Sequence, residues 1–182
     1  PNHVRIDSIG YSQVEHTPIW AIKLSNNAAT DRDVPRVLFI GEIHSEEIMG
    51  QEIILSNIKE IIQRRNIQPY LNWLNNLEIW FVPCMNPDGL AVVMSGVDET
   101  YRKNTRDTDN DGVLDFTPGQ GNDHDGVDLN RNFDSYWVHG DSLYAPSGYE
   151  VFDYYRGSQP FSESESVAIK NLMEKYKFVY SV

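Results

Sequence analysis

The chain has 182 residues, which suits one domain with a sizeable core, and its 40% hydrophobic and 23% charged content is ordinary for a globular protein. Its formal net charge of −12 argues against a nucleic acid as partner, because phosphate binding requires a basic surface. No apolar stretch approaches the length of a membrane-spanning helix, and the single cysteine, Cys84, excludes an internal disulfide.

Hydrophobic periodicity predicts five strands and three helices along the chain. The pattern alternates in the first strand and is continuously apolar in the third and fourth, which indicates strands buried on both faces. Apolar residues at helical spacing predict the helices, the last of which Ser162 and Glu165 would start as a capping box. The predicted strands are 4–9, 18–24, 36–40, 77–82 and 178–182, and the predicted helices are 46–64, 69–76 and 162–176.

Residues 85–160 show almost no periodicity. A stretch of this length without regular elements is uncommon in a compact domain and is typical of functional loops. Strands that alternate with amphipathic helices predict an α/β fold with a mixed, mostly parallel sheet flanked by helices. Ligands of such sheets bind outside the carboxyl ends of the strands, where His44 and residues 84–88 fall.

His44 and Glu47 directly follow the apolar run 37–41. An imidazole nitrogen and a carboxylate oxygen both suit zinc, and a three-residue step in a helical turn directs both side chains the same way. The pair is a weak signal alone, but three motifs follow it in order. They are Asn86-Pro87-Asp88-Gly89, itself a turn signal, then Tyr101-Arg102-Lys103, then Asp128-Leu129-Asn130-Arg131-Asn132-Phe133.

The order of these four motifs resembles the zinc carboxypeptidases, the family of carboxypeptidases A, B, T and N/E, from about residue 9 to residue 182. The resemblance implies a zinc-dependent enzyme that hydrolyses C-terminal residues from peptides or proteins. It implies that His44 and Glu47 are the first two zinc ligands. Arg102 would stabilise the oxyanion of the scissile carbonyl, and Asn130 with Arg131 would hold the terminal carboxylate of the substrate.

Two departures from the family pattern affect the expected activity. The third zinc ligand of the family, a histidine, would follow the strand at 178–182, and the general base would lie further on. The resemblance therefore predicts a truncated zinc-carboxypeptidase-like domain over 1–182 that is inactive alone. Glu46 stands where the carboxypeptidase A branch usually has an arginine at an outer substrate subsite, so a changed preference is expected.

An acidic insertion at about 105–128 has the spacing of a calcium loop. Oxygen donors occupy positions 1, 3, 5 and 9, a glycine occupies position 6 and a backbone carbonyl position 7. Position 12 is Pro118 rather than glutamate, and Asp123, Asp125 or Asp128 would supply the missing ligand. Calcium at such a loop suits a secreted, periplasmic or cell-surface protein. The predicted ligands are Asp107, Asp109, Asp111, Val113 and Asp115.

Other interpretations stay open at this point. Arg102 could be a surface arginine, Arg131 could pair with Asp128 or Asp134, and the acidic loop could be simply solvated. A zinc deacylase of the aspartoacylase and desuccinylase type shares a His-x-x-Glu pattern, although it usually has Gly-Asn where this chain has Ser45-Glu46. A non-catalytic, calcium-stabilised binding module is the third alternative, and it leaves the order of the motifs unexplained.

Overall fold

The computed structural model describes residues 2–119, 124–135, 137 and 153–182. Five strands and four α-helices occur in these residues, together with one short 3-10 turn at Leu129–Arg131. In chain order the elements are β1 (Val4–Tyr11), β2 (Pro18–Leu24), β3 (Arg36–Ile40), α1 (Ile48–Gln63), α2 (Tyr70–Asn76), β4 (Glu78–Val82), α3 (Pro87–Met94), α4 (Ser164–Tyr176) and β5 (Tyr180–Ser181).

The five strands form one mixed sheet in the order β1-β2-β4-β3-β5. The β1–β2 and β2–β4 pairs are antiparallel, whereas β3 pairs in parallel with both β4 and β5. This confirms the predicted mixed sheet flanked by helices, with two of the four pairings parallel. No helix of the described residues is both long and apolar enough to cross a membrane.

Two hydrophobic cores cover the two faces of the sheet. On one face the α4 residues Ile169 and Leu172 pack against residues that include Leu38 and Trp80. On the other face Phe81 packs with Ile54 of α1 and Leu74 of α2. All five residues of β4 are buried because this strand lies between two neighbours and under both helical layers. That position explains the continuous apolar run at the fourth strand.

The Asn-Pro-Asp-Gly motif begins helix α3, where the sequence indicated only a turn. Asn86 is the N-cap residue, its side chain accepts a hydrogen bond from the backbone N–H of Gly89, and Pro87 fills the first helical position. Asp88 accepts hydrogen bonds from the backbone N–H groups of Val14 and Glu15. The helix was missed because turn residues and helix-capping residues are of the same types.

The predicted capping box at the start of α4 is wrong. The helix begins at Ser164, and Glu163 is its N-cap residue without a side-chain capping bond. The Ser162 hydroxyl contacts Asn132, and the Glu165 carboxylate accepts the backbone N–H of Gln13. Tertiary partners have therefore replaced the local ones that a capping box requires.

A fully buried ion pair joins the two central antiparallel strands. The Lys23 ammonium on β2 lies 3.1 Å from Oε1 of Glu78 on β4, and both side chains are inaccessible to solvent. Glu78 also accepts from Arg36 on β3 and from the backbone N–H of Arg32. A buried carboxylate held by three donors fixes β2, β3 and β4 in register.

We expect Glu78→Gln to lower the free energy of unfolding by about 3 kcal/mol, because it removes the fully buried charge that pairs with Lys23 and Arg36 and leaves only the half-exposed Asp31 as a carboxylate partner of Lys23. Glu60→Gln is the matched control, since the Glu60–Arg64 pair is half-exposed and is worth less than about 1 kcal/mol. Urea unfolding of both variants measures the difference. Equal losses in the two variants would show that the buried pair does not stabilise the sheet.

Candidate metal and substrate site

The loops that follow β3 and β4 interlock at the carboxyl ends of these strands. The backbone N–H of Met85 donates to Gly41, and that of Asn86 donates to Glu42. A Cβ atom at Gly41 would lie 2.7 Å from the carbonyl oxygen of Pro83, so the close approach requires glycine. Glu42 adopts a left-handed φ of 48°, which turns the chain out of β3 towards His44.

His44 and Glu47 lie on one turn, with the imidazole buried and the carboxylate exposed. The backbone N–H of Glu47 donates to the carbonyl of His44, and α1 begins only at Ile48. The residues are therefore in a turn that precedes the helix, not in the predicted helix itself. Nδ1 of His44 lies 3.3 Å from Oε1 of Glu47, so the predicted convergence of the two side chains is found.

Asp128 holds the other nitrogen of the His44 ring. Nε2 lies 3.1 Å from Oδ1 of Asp128, whose side chain is fully buried. Burial by itself lowers the pKa of His44, but the hydrogen bond and negative charge of Asp128 outweigh it, and the pKa is raised. An Nε2–H that donates to Asp128 leaves the lone pair of Nδ1 directed towards Glu47.

The His44–Glu47 pair fits a zinc ion by its chemistry and its spacing. Nitrogen and oxygen ligands about 2.05 Å from a tetrahedral zinc ion are separated by roughly 3.3 Å. The observed separation of Nδ1 and Oε1 is 3.3 Å. A carboxylate behind the ligating histidine is the usual partner that orients such a ring. Asp128 was assigned to the acidic loop from sequence, and its place at the head of the Asp-Leu-Asn-Arg motif was the available signal.

Arg102 lies beside this pair. Its Nη1 is 3.2 Å from Oε1 of Glu46, and its Nη2 is 3.5 Å from Oδ2 of Asp128 and 2.8 Å from Nε2 of His44. A guanidinium only donates hydrogen bonds, so Nη2 bonds Nε2 only in the tautomer with Nε2 unprotonated, whereas in the other tautomer Nε2–H donates to Asp128 instead. The site therefore has a cation beside the two potential zinc ligands.

Asn130 and Arg131 belong to the 3-10 turn that Asp128 caps. The backbone N–H of Asn130 donates to Oδ1 of Asp128. Asn130, His44 and Glu47 line one cavity of about 390 Å³. His44, Glu47 and Asn130 are thus brought together, with Arg102 in contact with His44, although Asn130 lies 86 positions after His44 in the sequence. Arg131 follows Asn130 on the turn and is not among the residues that line this cavity.

The acidic loop brings its carboxylates together in two groups. Oxygen atoms of Asp107, Asp109 and Asp125 lie within 4.8 Å of one another, and so do those of Asp109, Asp111 and Asp115. The backbone N–H of Asp111 lowers the pKa of Asp109, but desolvation and the charges of Asp111, Asp125 and Asp107 outweigh it and raise that pKa. Asp125 thus joins the loop as predicted, Asp128 does not, and Asp123 lies outside the described residues.

The buried amide of Asn132 connects the 3-10 turn at Leu129–Arg131 with the start of α4. Its Nδ2 donates to the carbonyl oxygens of Arg156 and Gln159, and its Oδ1 accepts from the backbone N–H of Glu163 and the hydroxyl of Ser166. No local pattern indicated this role of Asn132. The amide has both donors and acceptors, which is why one side chain satisfies several backbone groups of the loop.

The α/β sheet thus carries a histidine–carboxylate pair and an arginine at the carboxyl ends of its strands, the place where ligands of such sheets bind. The family model described as zinc carboxypeptidase matches residues 1–182. The chain belongs to the zinc carboxypeptidase family, and the resemblance of its motifs to that family is confirmed.

Individual relatives agree with this assignment. A zinc carboxypeptidase of Saccharothrix mutabilis subsp. capreolus is 33% identical over 139 residues, which cover 75% of this chain and 29% of that protein. Human carboxypeptidase D is 28% identical over 183 residues, which cover 100% of this chain and 11% of that protein. The crystal structure of carboxypeptidase A from Helicoverpa armigera matches with a TM-score of 0.77 and 26% identity, over 97% of this chain and 38% of that chain. The chain therefore spans less than half the length of each of these relatives.

We expect Asn132→Ala to lower the free energy of unfolding by about 2–4 kcal/mol, because it leaves several buried polar groups without partners. Asn130→Ala is the matched control, since the same residue type two positions earlier is exposed and its loss costs less than about 0.5 kcal/mol. Denaturant unfolding compares the two. A loss at Asn132 no greater than that at Asn130 would contradict the linking role of the buried amide.

Proposed function

We propose that the protein is a zinc-dependent metallocarboxypeptidase that hydrolyses C-terminal residues from peptides or proteins. The observation that carries the proposal is the 3.3 Å separation of Nδ1 of His44 and Oε1 of Glu47, in a chain of the zinc carboxypeptidase family. These two atoms would hold the zinc ion. When bound, zinc polarises a carbonyl oxygen and makes water a stronger nucleophile at neutral pH.

Arg102 would act on the scissile carbonyl. Its guanidinium lies in hydrogen-bond range of the residue that orients His44, so it reaches the same reaction centre. Positive charge at the developing oxyanion stabilises the transition state more than the ground state. The guanidinium also contacts Glu46, a carboxylate that helps to orient it.

Asn130 and Arg131 would bind the free carboxylate of the substrate. A guanidinium grips a carboxylate through two parallel hydrogen bonds, and the amide of Asn130 adds a donor from the cavity wall shared with His44. Because this turn is capped by Asp128, the carboxylate clamp and the zinc ligand are positioned by the same side chain. Recognition of a free C-terminus beside the zinc position supports an exopeptidase.

Catalytic zinc usually has three protein ligands, and the chain spans less than half the length of the relatives that it matches. The domain over 1–182, with its acidic insertion at about 105–128, would then carry one part of the active site. The protein to assay is therefore the full-length gene product.

We expect the full-length gene product to hydrolyse a blocked dipeptide with a free carboxylate but not the corresponding amide. Activity should be lost after dialysis against a zinc chelator and return with zinc.

Asp128→Asn should weaken zinc binding about 10- to 100-fold, because the neutral amide orients the His44 ring less well. Asp134→Asn, which changes an exposed acid six residues later, is the control that should leave zinc affinity unchanged. Competition with a chromophoric chelator measures the zinc affinity of these variants. In the activity assay, hydrolysis of N-acyl amino acids instead of the dipeptide would favour a deacylase.

We also propose that the acidic loop binds calcium through Asp107, Asp109, Asp111 and Asp115, with the carbonyl of Val113. Two overlapping groups of carboxylates support this site, since such groups repel one another unless a cation neutralises them. Gly112 has the positive φ that the sharp turn of a calcium loop requires. A loop without the bidentate glutamate suits millimolar calcium, which favours a location outside the cytosol.

We expect calcium at ten times its Kd to stabilise the protein by about 1.4 kcal/mol, because the ion binds only the folded loop. Asp109→Asn should abolish most of this gain, since Asp109 belongs to both groups of carboxylates. Asp134→Asn, which changes an exposed acid outside the loop, should retain it. Thermal unfolding across a calcium titration, with zinc held constant, is the measurement. Equal thermal stability with and without calcium would rule out the site.

A further inference from the structure

One aromatic ring contacts both arginines of the proposed site. The ring centroid of Tyr154 lies 5.5 Å from Cζ of Arg102 and 5.7 Å from Cζ of Arg131. Both distances are within the range of cation–π attraction. The side chain is 48% exposed, so the ring combines these contacts with a face that is open to solvent.

The backbone next to Tyr154 is anchored to the centre of the site. The carbonyl of Tyr155, a buried residue, accepts the backbone N–H of Asp128. Asp128 in turn contacts His44 and caps the turn that carries Arg131. The ring is therefore placed by the residue that positions the zinc ligand and the carboxylate clamp.

The ring also limits the distance between the two cations. The two centroid distances together restrict the separation of the guanidinium carbons to at most about 11 Å. Two like charges this close repel each other, and the negative face of the ring offsets the repulsion by attracting both. Tyr154 thus favours an arrangement in which Arg102 and Arg131 stay near one another.

The upper limit of about 11 Å between the two guanidinium carbons is compatible with the length of one substrate residue. The scissile carbonyl carbon and the carboxyl carbon of a C-terminal residue are separated by three bonds, or roughly 3–4 Å. A guanidinium carbon lies about 4 Å from an oxygen to which its N–H groups donate. Two guanidinium groups that hold these two oxygen-bearing groups are therefore at most roughly 12 Å apart.

We propose that Tyr154 is a positioning residue that sets the spacing between Arg102 and Arg131, and thereby restricts hydrolysis to the last residue of a free C-terminus. The proposal rests on the metallocarboxypeptidase function. Tyr154 acts on the two arginines, whose guanidinium groups both lie within 6 Å of the centre of its ring.

The test compares three variants of the full-length gene product on two blocked dipeptides, one ending in alanine and one in β-alanine. β-Alanine moves the carboxylate one carbon further from the scissile carbonyl. Tyr154→Leu should lower kcat/KM for the alanine substrate roughly 10- to 100-fold, through both KM and kcat, and should reduce the discrimination against β-alanine. Tyr154→Phe keeps the ring and should remain within about twofold of the wild type. Tyr70→Leu is the control. Tyr70 lies on α2, away from the site, and its ring is 5.8 Å from Cζ of Arg64 at the end of α1.

The outcomes separate the inference from the function on which it rests. An active Tyr154→Leu enzyme with unchanged discrimination between alanine and β-alanine would overturn the positioning role, whatever its stability. If the wild type hydrolyses neither substrate, the proposed function fails. Calorimetric binding of the alanine dipeptide and of its amide then tests the spacing directly. Preference for the free carboxylate that Tyr154→Leu loses supports the positioning role, and an equal preference in both proteins contradicts it.

Discussion

The carboxylate of Asp128 is the interaction on which the site depends. It is fully buried, Oδ1 lies 3.1 Å from Nε2 of His44 and accepts the backbone N–H of Asn130, and Oδ2 lies 3.5 Å from Arg102. A buried anion is tolerated only when it is paired and hydrogen-bonded. One buried carboxylate therefore holds His44, Arg102 and the 3-10 turn that contains Asn130 in the same place.

The rest of the molecule divides into an apolar part and a polar part. The sheet and its two helical layers are held by hydrophobic contacts on both faces and by the buried Lys23–Glu78 pair. The loops beyond the carboxyl ends of the strands bury single apolar side chains such as Tyr101 and Leu129, and between these anchors hydrogen bonds organise the backbone. Asn104 illustrates this, because its amide accepts the backbone N–H of Val127 and donates to Glu163. Such networks fix a conformation when each member is satisfied.

The acidic loop connects the two halves of the site along the chain. It begins just after Arg102 and returns at Asp125, whose carboxylate accepts the backbone N–H groups of Thr108 and Asp115. The loop is thus closed on itself next to Asp128. A cation that neutralises it would stabilise the segment that separates Arg102 from Asn130, which gives the proposed calcium site a structural consequence for the proposed zinc site.

The sequence by itself determined the mixed α/β fold, the five strands to within a few residues and the family, because buried strands and short motifs in a fixed order are local patterns. It misassigned helix α3 and the start of α4, where capping residues resemble turn residues or find tertiary partners instead. Only the tertiary structure identified the contacts of Asp128, Asn132 and Tyr154. Asp128 meets His44 across 84 positions, and no local pattern encodes which distant donors a buried polar group will find.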